Sequence, residues 1–385
     1  GPVDGHDIEA MTRIIGRALK YQGPVLIHVL TKKGKGYRPA ETHPAHFHGV
    51  GPFDIKTGKQ KVANEYPTYT EVFSNALVRN ALKNDRVAAV TAAMALGCGL
   101  AEFKRLFPER FFDVGIAEAH AVTFSSALAE GGMIPVFSVY SSFLQRGFDE
   151  LIHDVAIEGS HVIFAVDRAG IVGRDGITHQ GIFDLSYLSM IPGMTVMAPK
   201  DATELSDMLD FAIERIDSPV AIRYPRGEAC IMEPEHRSPI ELGKCEALSE
   251  PDGARVLLFA IGSMVKRAED AASILKRIDI SASVVNARFA SPIDKEYLTD
   301  AAKDYDVIVS LEENVRSGGF GEHVLSILAD AGFDGDFINL SIPDEFVPQG
   351  SADELCCDEG LDADSIAKRV EETLGIKEDS DEKKA

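Results

Sequence analysis

The stretch RFFDVGIAEAHAVTFSSALAEGG, residues 110–132, decides how the chain can fold. Its FFDV segment has the apolar character of a short strand, and AHAVTFSSALA has the composition of a helix. A strand that runs directly into a helix predicts a β–α unit. Glu118 lies where the connection enters that helix, with small and apolar residues on both sides. The position of this acid raises the question of what it does there.

The same alternation continues outward from this stretch at roughly 25-residue spacing, which is typical of parallel α/β units. Helical patterns such as SFLQRGFDELIHDVAI and ATELSDMLDFAIERI separate short apolar runs. Such nearly continuous runs indicate strands whose two faces are both covered by helices. The predicted strands are RVAAVTAA, IPVFSVY, HVIFAVD, MTVMAP and PVAIRYP, followed later by RVLLFAIG, ASVVNARF, DVIVSLEEN and FINLSIP.

Two turn-rich segments divide this series into domains. RGEACIMEPEHRSPIELGK, residues 226–244, interrupts the rhythm and places a boundary near residue 240, and VGPFDIKTGKQKVANEYPTY has no apolar period. We therefore predict an N-terminal piece at 1–64, α/β domains with parallel sheets at 65–240 and 241–375, and a disordered acidic tail at 376–385. The N-terminal piece has about one helix, IEAMTRIIGRALKY, and one strand, GPVLIHVL, which is too little for a core of its own. We expect it to be the remnant of a third α/β domain.

Composition excludes several classes of protein. The 385 residues, 45% of them hydrophobic, predict a globular chain. A net charge of −22 argues against binding nucleic acid or an anionic membrane through a general electrostatic field. Five cysteines without a C-x-x-C pair give neither a disulfide framework nor a zinc signature. No apolar run approaches the length of a membrane span, and we expect a reduced, cytoplasmic protein.

Glu118 admits two interpretations. Near the start of its predicted helix it could simply complement the helix dipole. Its neighbours, however, offer no counter-charge and suggest burial. Buried carboxyl groups can act as hydrogen-bond donors or proton relays, so a functional role is the second interpretation.

A polar, glycine-rich loop follows the predicted strand HVIFAV, in DRAGIVGRDGITHQGIFDLSYL. Open α/β sheets bind ligands at the carboxyl ends of their strands, where this loop begins. Loops this polar are often only solvated connections, but the density of glycine with charged residues and histidine favours a ligand site. Its candidate residues are Arg168, Arg174, Asp175 and His179.

Three further motifs offer candidates. RYPRG places Arg223 and Arg226 at the end of another predicted strand, where arginines suit a phosphate or carboxylate. In VYSSFLQRGFD, Tyr140 ends a strand and Phe143 and Arg146 open the next helix, although an aromatic residue there is more often part of a core. ETHPAHFHG contains three histidines, but without a cysteine or carboxylate set it is a weak metal pattern, and we predict no metal site there.

Several of these stretches together resemble one family. FFDVGIAEAHAVTF, YSSFLQRGFDELIHDV, DRAGIVGRDGITHQGIFDLSYL, AIRYPRG and LEENVRSGGFGEHVL are similar, in order and spacing, to the 1-deoxy-D-xylulose-5-phosphate synthases. These are thiamine-diphosphate enzymes of the transketolase superfamily. The resemblance implies a transketolase-type pyrimidine-binding domain and C-terminal domain. It also implies a condensation of pyruvate with D-glyceraldehyde 3-phosphate that releases carbon dioxide. In the family this reaction is the first step of the non-mevalonate isoprenoid pathway, and its product is also used in thiamine and pyridoxal biosynthesis.

The resemblance also implies roles for individual residues. Glu118 matches the glutamate that hydrogen-bonds the aminopyrimidine ring and activates the cofactor, and Ile116, Phe143 and Arg146 match its other cofactor contacts. Arg168 and Arg226 would hold the phosphate of the aldehyde. The remaining substrate pocket, in which carbonyl and hydroxyl groups exchange hydrogen bonds and protons, would comprise His48, Tyr140, Asp175 and His179.

The sequence departs from the family pattern at one important point. The family holds the diphosphate and its Mg²⁺ with a G-D-G motif on an N-terminal domain, and no G-D-G triplet occurs here. Ala119, where the family usually has Gln, is a minor departure. We expect that the chain lacks most of the N-terminal domain, either because it is a fragment or because it is one subunit of a split enzyme. We also expect that it forms a homodimer and is inactive without that domain. A β-type subunit of a 2-oxoacid dehydrogenase and a non-catalytic regulatory descendant remain as alternatives.

Overall fold

The structure is a computed structural model that describes residues 1–59, 61, 65–230, 232 and 238–375. The predicted acidic tail at 376–385 lies outside these residues. The chain separates into two units, Gly1–Asn64 and Glu65–Ala385. In the described residues, no helix is both long enough and apolar enough to cross a membrane.

The described residues of the N-terminal unit form two short parallel strands and two helices. They are β1 (Val3–Asp4), α1 (Ile8–Ala18), β2 (Val29–Leu30) and α2 (Arg38–Thr42). The Asp7 side chain caps α1 by accepting a hydrogen bond from the Ala10 amide, yet α1 buries none of its side chains. Ile8, Leu19 and Leu26 are at least 80% exposed. The strand predicted from GPVLIHVL is wrong except at Val29–Leu30, because the strand that pairs with it, β1, is only two residues long.

Within the second unit, the residues that the structure describes form two sheets. Its strands are β3 (Val87–Thr91), β4 (Phe111–Asp113), β5 (Ile134–Tyr140), β6 (Ile163–Asp167), β7 (Thr195–Met197), β8 (Val220–Tyr224), β9 (Glu246–Ser249), β10 (Val256–Ala260), β11 (Ala282–Asn286), β12 (Phe289–Ser291), β13 (Val307–Val315) and β14 (Asp336–Ile342). The first sheet has the order β12-β7-β8-β6-β5-β3-β4 and the second the order β14-β13-β10-β11-β9. All neighbouring strands are parallel except β12 and β9, which pair antiparallel at one edge of each sheet.

Helices cover both faces of each sheet. They are α3 (Tyr69–Lys83), α4 (Ala101–Leu106), α5 (Glu118–Glu130), α6 (Ser141–Leu144), α7 (Phe148–Glu150), α8 (Asp184–Ser189), α9 (Ala202–Arg215), α10 (Met264–Lys276), α11 (Lys295–Asp304), α12 (Phe320–Asp330), α13 (Ala352–Asp358) and α14 (Ala363–Thr373). Side chains of β5 alternate between two cores: Val136 packs with α3 and α9, and Phe137 packs with α5 and α8. This alternation follows from the two-residue period of a strand and confirms the predicted double covering.

The helix predicted over SFLQRGFDELIHDVAI is interrupted. After α6 the chain makes a 3₁₀ turn at Gln145–Gly147, one α turn, and a π turn at Leu151–Ala156. Contacts with α5 accompany these changes, since a Cβ on Gly147 would lie 2.7 Å from Val122 Cγ2. The Asp154 carbonyl accepts a hydrogen bond of 2.7 Å from Ser126 of α5. The helical geometry of this segment therefore changes where it packs against α5, the helix that begins at Glu118.

The two sheets are locked together. Strand β12, although it follows the second sheet's β11, completes the edge of the first sheet beside β7. A buried charge network joins the same regions: Lys200 lies 2.5 Å from Glu246, and Arg288 lies 2.8 Å from Glu204. All four side chains are at most 3% exposed. Buried ions need partners of this kind, so these ion pairs connect the regions of the two sheets.

Candidate active site

Glu118 opens α5 directly after a turn that only glycine adopts easily. Gly115 has a φ of +74°, and Ile116 is 82% exposed beside it. Glu118 itself is only 6% exposed, which confirms the predicted burial. Within the described part of the chain, no group hydrogen-bonds its carboxylate. The side chain is largely buried, but its carboxylate oxygens are not among the fully buried atoms without a partner, so the carboxylate end is accessible to a bound molecule.

An aromatic row lies at the carboxyl end of β5. The rings of Tyr140 and Phe143 stack with centroids 5.4 Å apart, and the ring of His179 meets Phe143 edge-on at 5.5 Å. Burial raises the pKa of Tyr140 to about 12, so its hydroxyl stays neutral at physiological pH. The structure therefore brings the predicted residues Tyr140, Phe143 and His179 together. Arg146, two residues after α6, is exposed.

Arg168 follows β6 in a left-handed backbone conformation, with a φ of +61°. Its amide and Nη1 both donate to Asp167 Oδ1 at 2.8 Å, and Nη1 also donates to Thr70 Oγ1 at 2.8 Å. The guanidinium lies over the Tyr140 ring, 4.4 Å from its centroid. These contacts hold a strained residue whose side chain is only 17% exposed. The arrangement fixes one edge of the guanidinium against the protein.

Asp167, which holds that edge, is fully buried. Burial raises the pKa of this carboxyl, while the charge and hydrogen bonds of Arg168 and the hydroxyl of Thr70 lower it. Thr70 Oγ1 donates to Asp167 Oδ2 at 2.8 Å. The sequence analysis missed both Thr70 and Asp167, because the site combines α3 with the end of β6, which are 97 residues apart in the chain.

The loop after β6 places Asp175 next to Arg226, which follows β8. Arg226 Nε lies 3.5 Å from Asp175 Oδ2, and the two side chains are 36% and 34% exposed. Arg226 Nη1 also donates to the Val172 carbonyl at 3.5 Å. The Nδ1 atom of His179 is 2.9 Å from Thr178 Oγ1. A loosely paired, partly exposed arginine and carboxylate can exchange their mutual contact for a polar ligand.

Two candidates have other surroundings. Arg223, which the sequence places with Arg226 as suited to a phosphate or carboxylate, is already engaged within the protein: its side chain is 3% exposed, lies 3.0 Å from Asp184 and donates to the Glu313 carbonyl at 3.2 Å. Its place within a buried strand explains the difference, since only the residues beyond the strand end reach the surface. His48 lies in the N-terminal unit, where its Nδ1 contacts Lys33 Nζ at 2.5 Å. Its proposed role in the pocket stays a prediction.

Arg174 and Gln180 complete the loop. Arg174 is exposed, and its carbonyl accepts a hydrogen bond from Gln349 at 3.0 Å. Gln180, which the sequence analysis did not consider, is 3% exposed and hydrogen-bonded through both side-chain atoms. A polar residue between His179 and Gly181 gives no sequence signal that distinguishes a buried amide from a solvated one.

Comparisons with known proteins agree with this architecture. The transketolase pyrimidine-binding domain family matches residues 65–231, and the transketolase C-terminal domain family matches residues 243–366. A solved structure described as a split-gene transketolase, in an inactive β4 tetramer, superposes with a TM-score of 0.72 at 28% identity, over 81% of this chain and 99% of that chain. A transketolase from Pichia stipitis, at 20% identity and a TM-score of 0.68 over 82% of this chain and 47% of its own, shows the fold alone.

Curated relatives define the family more closely. The 1-deoxy-D-xylulose-5-phosphate synthases of Heliobacterium modesticaldum and Pelotomaculum thermopropionicum are 48% and 49% identical to this chain. The alignments cover 97% and 96% of this chain but only 57% and 58% of the relatives. The chain thus spans less than three-fifths of the length of these relatives. It belongs to the 1-deoxy-D-xylulose-5-phosphate synthase family of the transketolase superfamily, of which it carries the pyrimidine-binding and C-terminal domains.

Proposed function

We propose that this chain supplies the pyrimidine-binding half of a 1-deoxy-D-xylulose-5-phosphate synthase. The reaction is the condensation of pyruvate with D-glyceraldehyde 3-phosphate, with loss of carbon dioxide, in the cytoplasm. The observation that carries the proposal is the carboxylate of the largely buried Glu118, which has no hydrogen-bond partner among the described residues and lies beside the exposed Ile116, in a chain nearly half identical to named synthases. Family membership alone would not require this acid to be free for a ligand.

The residues around Glu118 fit the pyrimidine end of thiamine diphosphate. An aminopyrimidine ring offers a nitrogen that a buried carboxyl can hydrogen-bond and two faces that apolar side chains can cover. Glu118 would hold that nitrogen, Ile116 and Phe143 would pack on the ring, and Arg146 would lie at its rim. When bound, the cofactor supplies the carbanion chemistry and accepts the electrons released by decarboxylation.

The substrate end of the site would use the charged groups of the strand ends. Arg168 and Arg226 suit the phosphate of the aldehyde, because guanidinium groups bind phosphate through paired hydrogen bonds. Tyr140 keeps its proton and can donate a hydrogen bond to a substrate oxygen. Asp175 and His179, together with His48, would orient carbonyl and hydroxyl groups and move protons at those oxygens.

The diphosphate and Mg²⁺ require groups that we assign to another part of the enzyme. Among the described residues, no three of the His, Cys, Asp or Glu side chains are placed to hold a metal ion. Mg²⁺ prefers carboxylate and carbonyl oxygens acting with phosphate oxygens. We propose that a G-D-G-bearing domain, within the length of the relatives that this chain does not span or on a separate chain, supplies them. The exposed apolar side chains of the N-terminal unit suit contact with such a domain.

Calorimetric titration tests this division of the site. The purified chain, which we propose to be a homodimer, should bind thiamine diphosphate weakly with or without Mg²⁺. Addition of a separately expressed G-D-G-bearing domain should produce tight, Mg²⁺-dependent binding. Tight Mg²⁺-dependent binding by the purified chain alone would show that it holds a diphosphate site of its own.

An activity assay separates the synthase from its alternatives. The reconstituted enzyme should release carbon dioxide from pyruvate and form 1-deoxy-D-xylulose 5-phosphate only when glyceraldehyde 3-phosphate is present. Decarboxylation that depends on lipoamide instead would indicate a 2-oxoacid dehydrogenase subunit. A reconstituted assembly that binds cofactor and shows neither reaction would indicate a regulatory protein.

The two arginines provide a test of the substrate assignment. Arg168→Ala and Arg226→Ala should each weaken glyceraldehyde 3-phosphate by about 1.5–3 kcal/mol, the value of a lost charged hydrogen bond. Unphosphorylated glyceraldehyde and pyruvate should be affected much less, since neither offers a phosphate. Equal losses for both aldehydes would mean that the arginines only support the fold.

A further inference from the structure

The loop that carries Asp175 and His179 leaves the first sheet but is anchored in the C-terminal domain. Gly170 and Gly181 close its base through two backbone hydrogen bonds of 2.7 and 2.8 Å. The neighbouring Ile171 and Ile182 are 5% and 1% exposed and belong to the apolar core around β10, β11 and β13. The loop therefore rests on a different domain from the strand that precedes it.

Gln180 links the two sides of this base. Its Oε1 accepts hydrogen bonds from the amides of Val172, at 2.7 Å, and Gly173, at 3.2 Å. Its Nε2 donates to the Pro348 carbonyl at 2.9 Å, in the segment after β14. The residue is 3% exposed, and its two bonds to the amides of Val172 and Gly173 are buried, so solvent cannot replace those two contacts. One buried amide thus joins the start of the loop, its end and the C-terminal domain.

Residues 346–352, which we name the brace segment, fit closely against the loop. A Cβ on Gly173, whose φ is +78°, would lie 3.0 Å from both the Gly350 carbonyl oxygen and the Ala352 amide nitrogen. Gln349 Nε2 donates to the Arg174 carbonyl at 3.0 Å. Backbone meets backbone here, so the brace segment holds the loop at a fixed distance. The exposed tip of the loop is the part that extends toward Arg226.

We infer that Gln180 is a positioning residue that sets the place of Asp175 and His179 by fastening their loop to the brace segment of the C-terminal domain. The inference rests on the proposed function where it concerns catalysis. Reacting groups must be held to within about 0.5 Å, and a partly exposed loop tip keeps such a position only if its base is rigid. Loss of Gln180 would leave the buried amides of Val172 and Gly173 without partners and would release the loop from the carbonyl of the exposed Pro348.

Hydrogen–deuterium exchange on the purified chain tests the anchoring without any activity. In Gln180→Ala, peptides covering residues 170–181 should exchange about tenfold faster or more, since a buried bond network is lost locally. Peptides of β6 and β8 should keep their rates. Gln180→Glu, which keeps the volume and an acceptor oxygen, should show a smaller increase, and Gln22→Ala on the exposed surface of the N-terminal unit should show none.

Trypsin provides a second readout on the same variants, because Arg174 lies at the exposed part of the loop. Cleavage after Arg174 should be faster in Gln180→Ala than in the unmodified chain, with Gln349→Ala intermediate because it removes only one contact with the loop. Unchanged exchange over 170–181 and unchanged cleavage in Gln180→Ala would overturn the inference, provided that circular dichroism shows the variant folded. If that variant does not fold, Gln180→Glu and Gln349→Ala decide by the same criteria.

Kinetics of the reconstituted enzyme then test the catalytic part. Gln180→Ala should raise the KM for glyceraldehyde 3-phosphate at least about fivefold, because the proposed function places that substrate beside the loop, and should leave the KM for pyruvate within about twofold. Faster exchange with unchanged aldehyde kinetics would overturn the positioning role. If the unmodified enzyme lacks synthase activity, the proposed function fails, and the exchange experiment still decides whether Gln180 anchors the loop.

Discussion

Thr70→Val removes one hydroxyl that serves two charged groups. Thr70 Oγ1 donates to Asp167 Oδ2 and accepts from Arg168 Nη1, both at 2.8 Å. Valine has nearly the shape of threonine, so the substitution opens no cavity. Asp167 would keep its contacts through Oδ1, but Oδ2 would be left without a partner in a fully buried carboxylate.

The magnitude follows from these contacts. A hydrogen bond to a charged group contributes about 1.5–3 kcal/mol. Two such bonds are lost, but Thr70 is only partly buried, and water can replace some of the loss. We therefore expect the free energy of unfolding to fall by about 2–3 kcal/mol. Since the same hydroxyl holds Arg168 Nη1, the KM for glyceraldehyde 3-phosphate should also rise.

Urea unfolding of the purified chain, with aldehyde kinetics of the reconstituted enzyme, checks both effects. The control is Thr123→Val, which removes an exposed hydroxyl bonded to Asp154 on the surface of α5. This control should cost less than about 1 kcal/mol, as exposed polar pairs do. Equal stability losses in the two variants, or an unchanged aldehyde KM in Thr70→Val, would refute the reasoning about Arg168.

Three further changes test the energetics of the second unit. Asp184→Ala leaves Arg223 as a buried charge without its carboxylate partner, so the free energy of unfolding measured in urea should fall by about 3–5 kcal/mol. A loss below about 1 kcal/mol would contradict the claim that this ion pair is buried. Gly147→Ala places a Cβ 2.7 Å from a Val122 methyl and should lower the free energy of unfolding by about 1–3 kcal/mol. Gly16→Ala, in a helix with open space around the new Cβ, should not destabilise the protein. Gly147→Ala should therefore have the lower melting temperature of the two variants. Burial raises the pKa of Glu312 from 4.5 to about 8, so the folded state retains a proton that the unfolded state releases, and the free energy of unfolding should fall as pH rises from about 5 to about 8. Glu312→Gln should lessen this fall. Parallel profiles of stability against pH for the variant and the unmodified chain would contradict this explanation.

The sequence predicts the parallel sheets well because their strands are buried on both faces and read as apolar runs. IPVFSVY forms a strand over all seven of its residues, Ile134–Tyr140. The N-terminal strand prediction failed because an apolar run such as GPVLIHVL becomes a strand only where neighbours pair with it. The interruption of the helix after Ser141 was also not predicted, because its 3₁₀ and π turns accompany contacts with α5 that the local hydrophobic periodicity does not encode.

In the candidate site, too, the sequence predicts some features and misses others. Burial of Glu118 followed from its neighbours, and the positions of Arg168, Asp175 and Arg226 followed from the rule that strand ends gather ligand residues. Arg223 was misplaced because a strand's alternation sends its side chain into a buried ion pair with Asp184. Thr70 and Gln180 were missed because each acts across nearly a hundred residues or more of sequence, on Asp167 and on Pro348.

The most direct test of the central claim is the synthase rate of the Glu118→Gln variant in the reconstituted enzyme. Glu130→Gln, at the exposed end of the same helix, is the matched control. We predict that Glu118→Gln folds as the unmodified chain does and loses about 100-fold or more of its turnover, because positioned proton transfer contributes at least that much. Glu130→Gln should keep nearly full activity. A Glu118→Gln enzyme that retains more than about a tenth of the normal rate would contradict the assignment of Glu118 as the cofactor-activating acid.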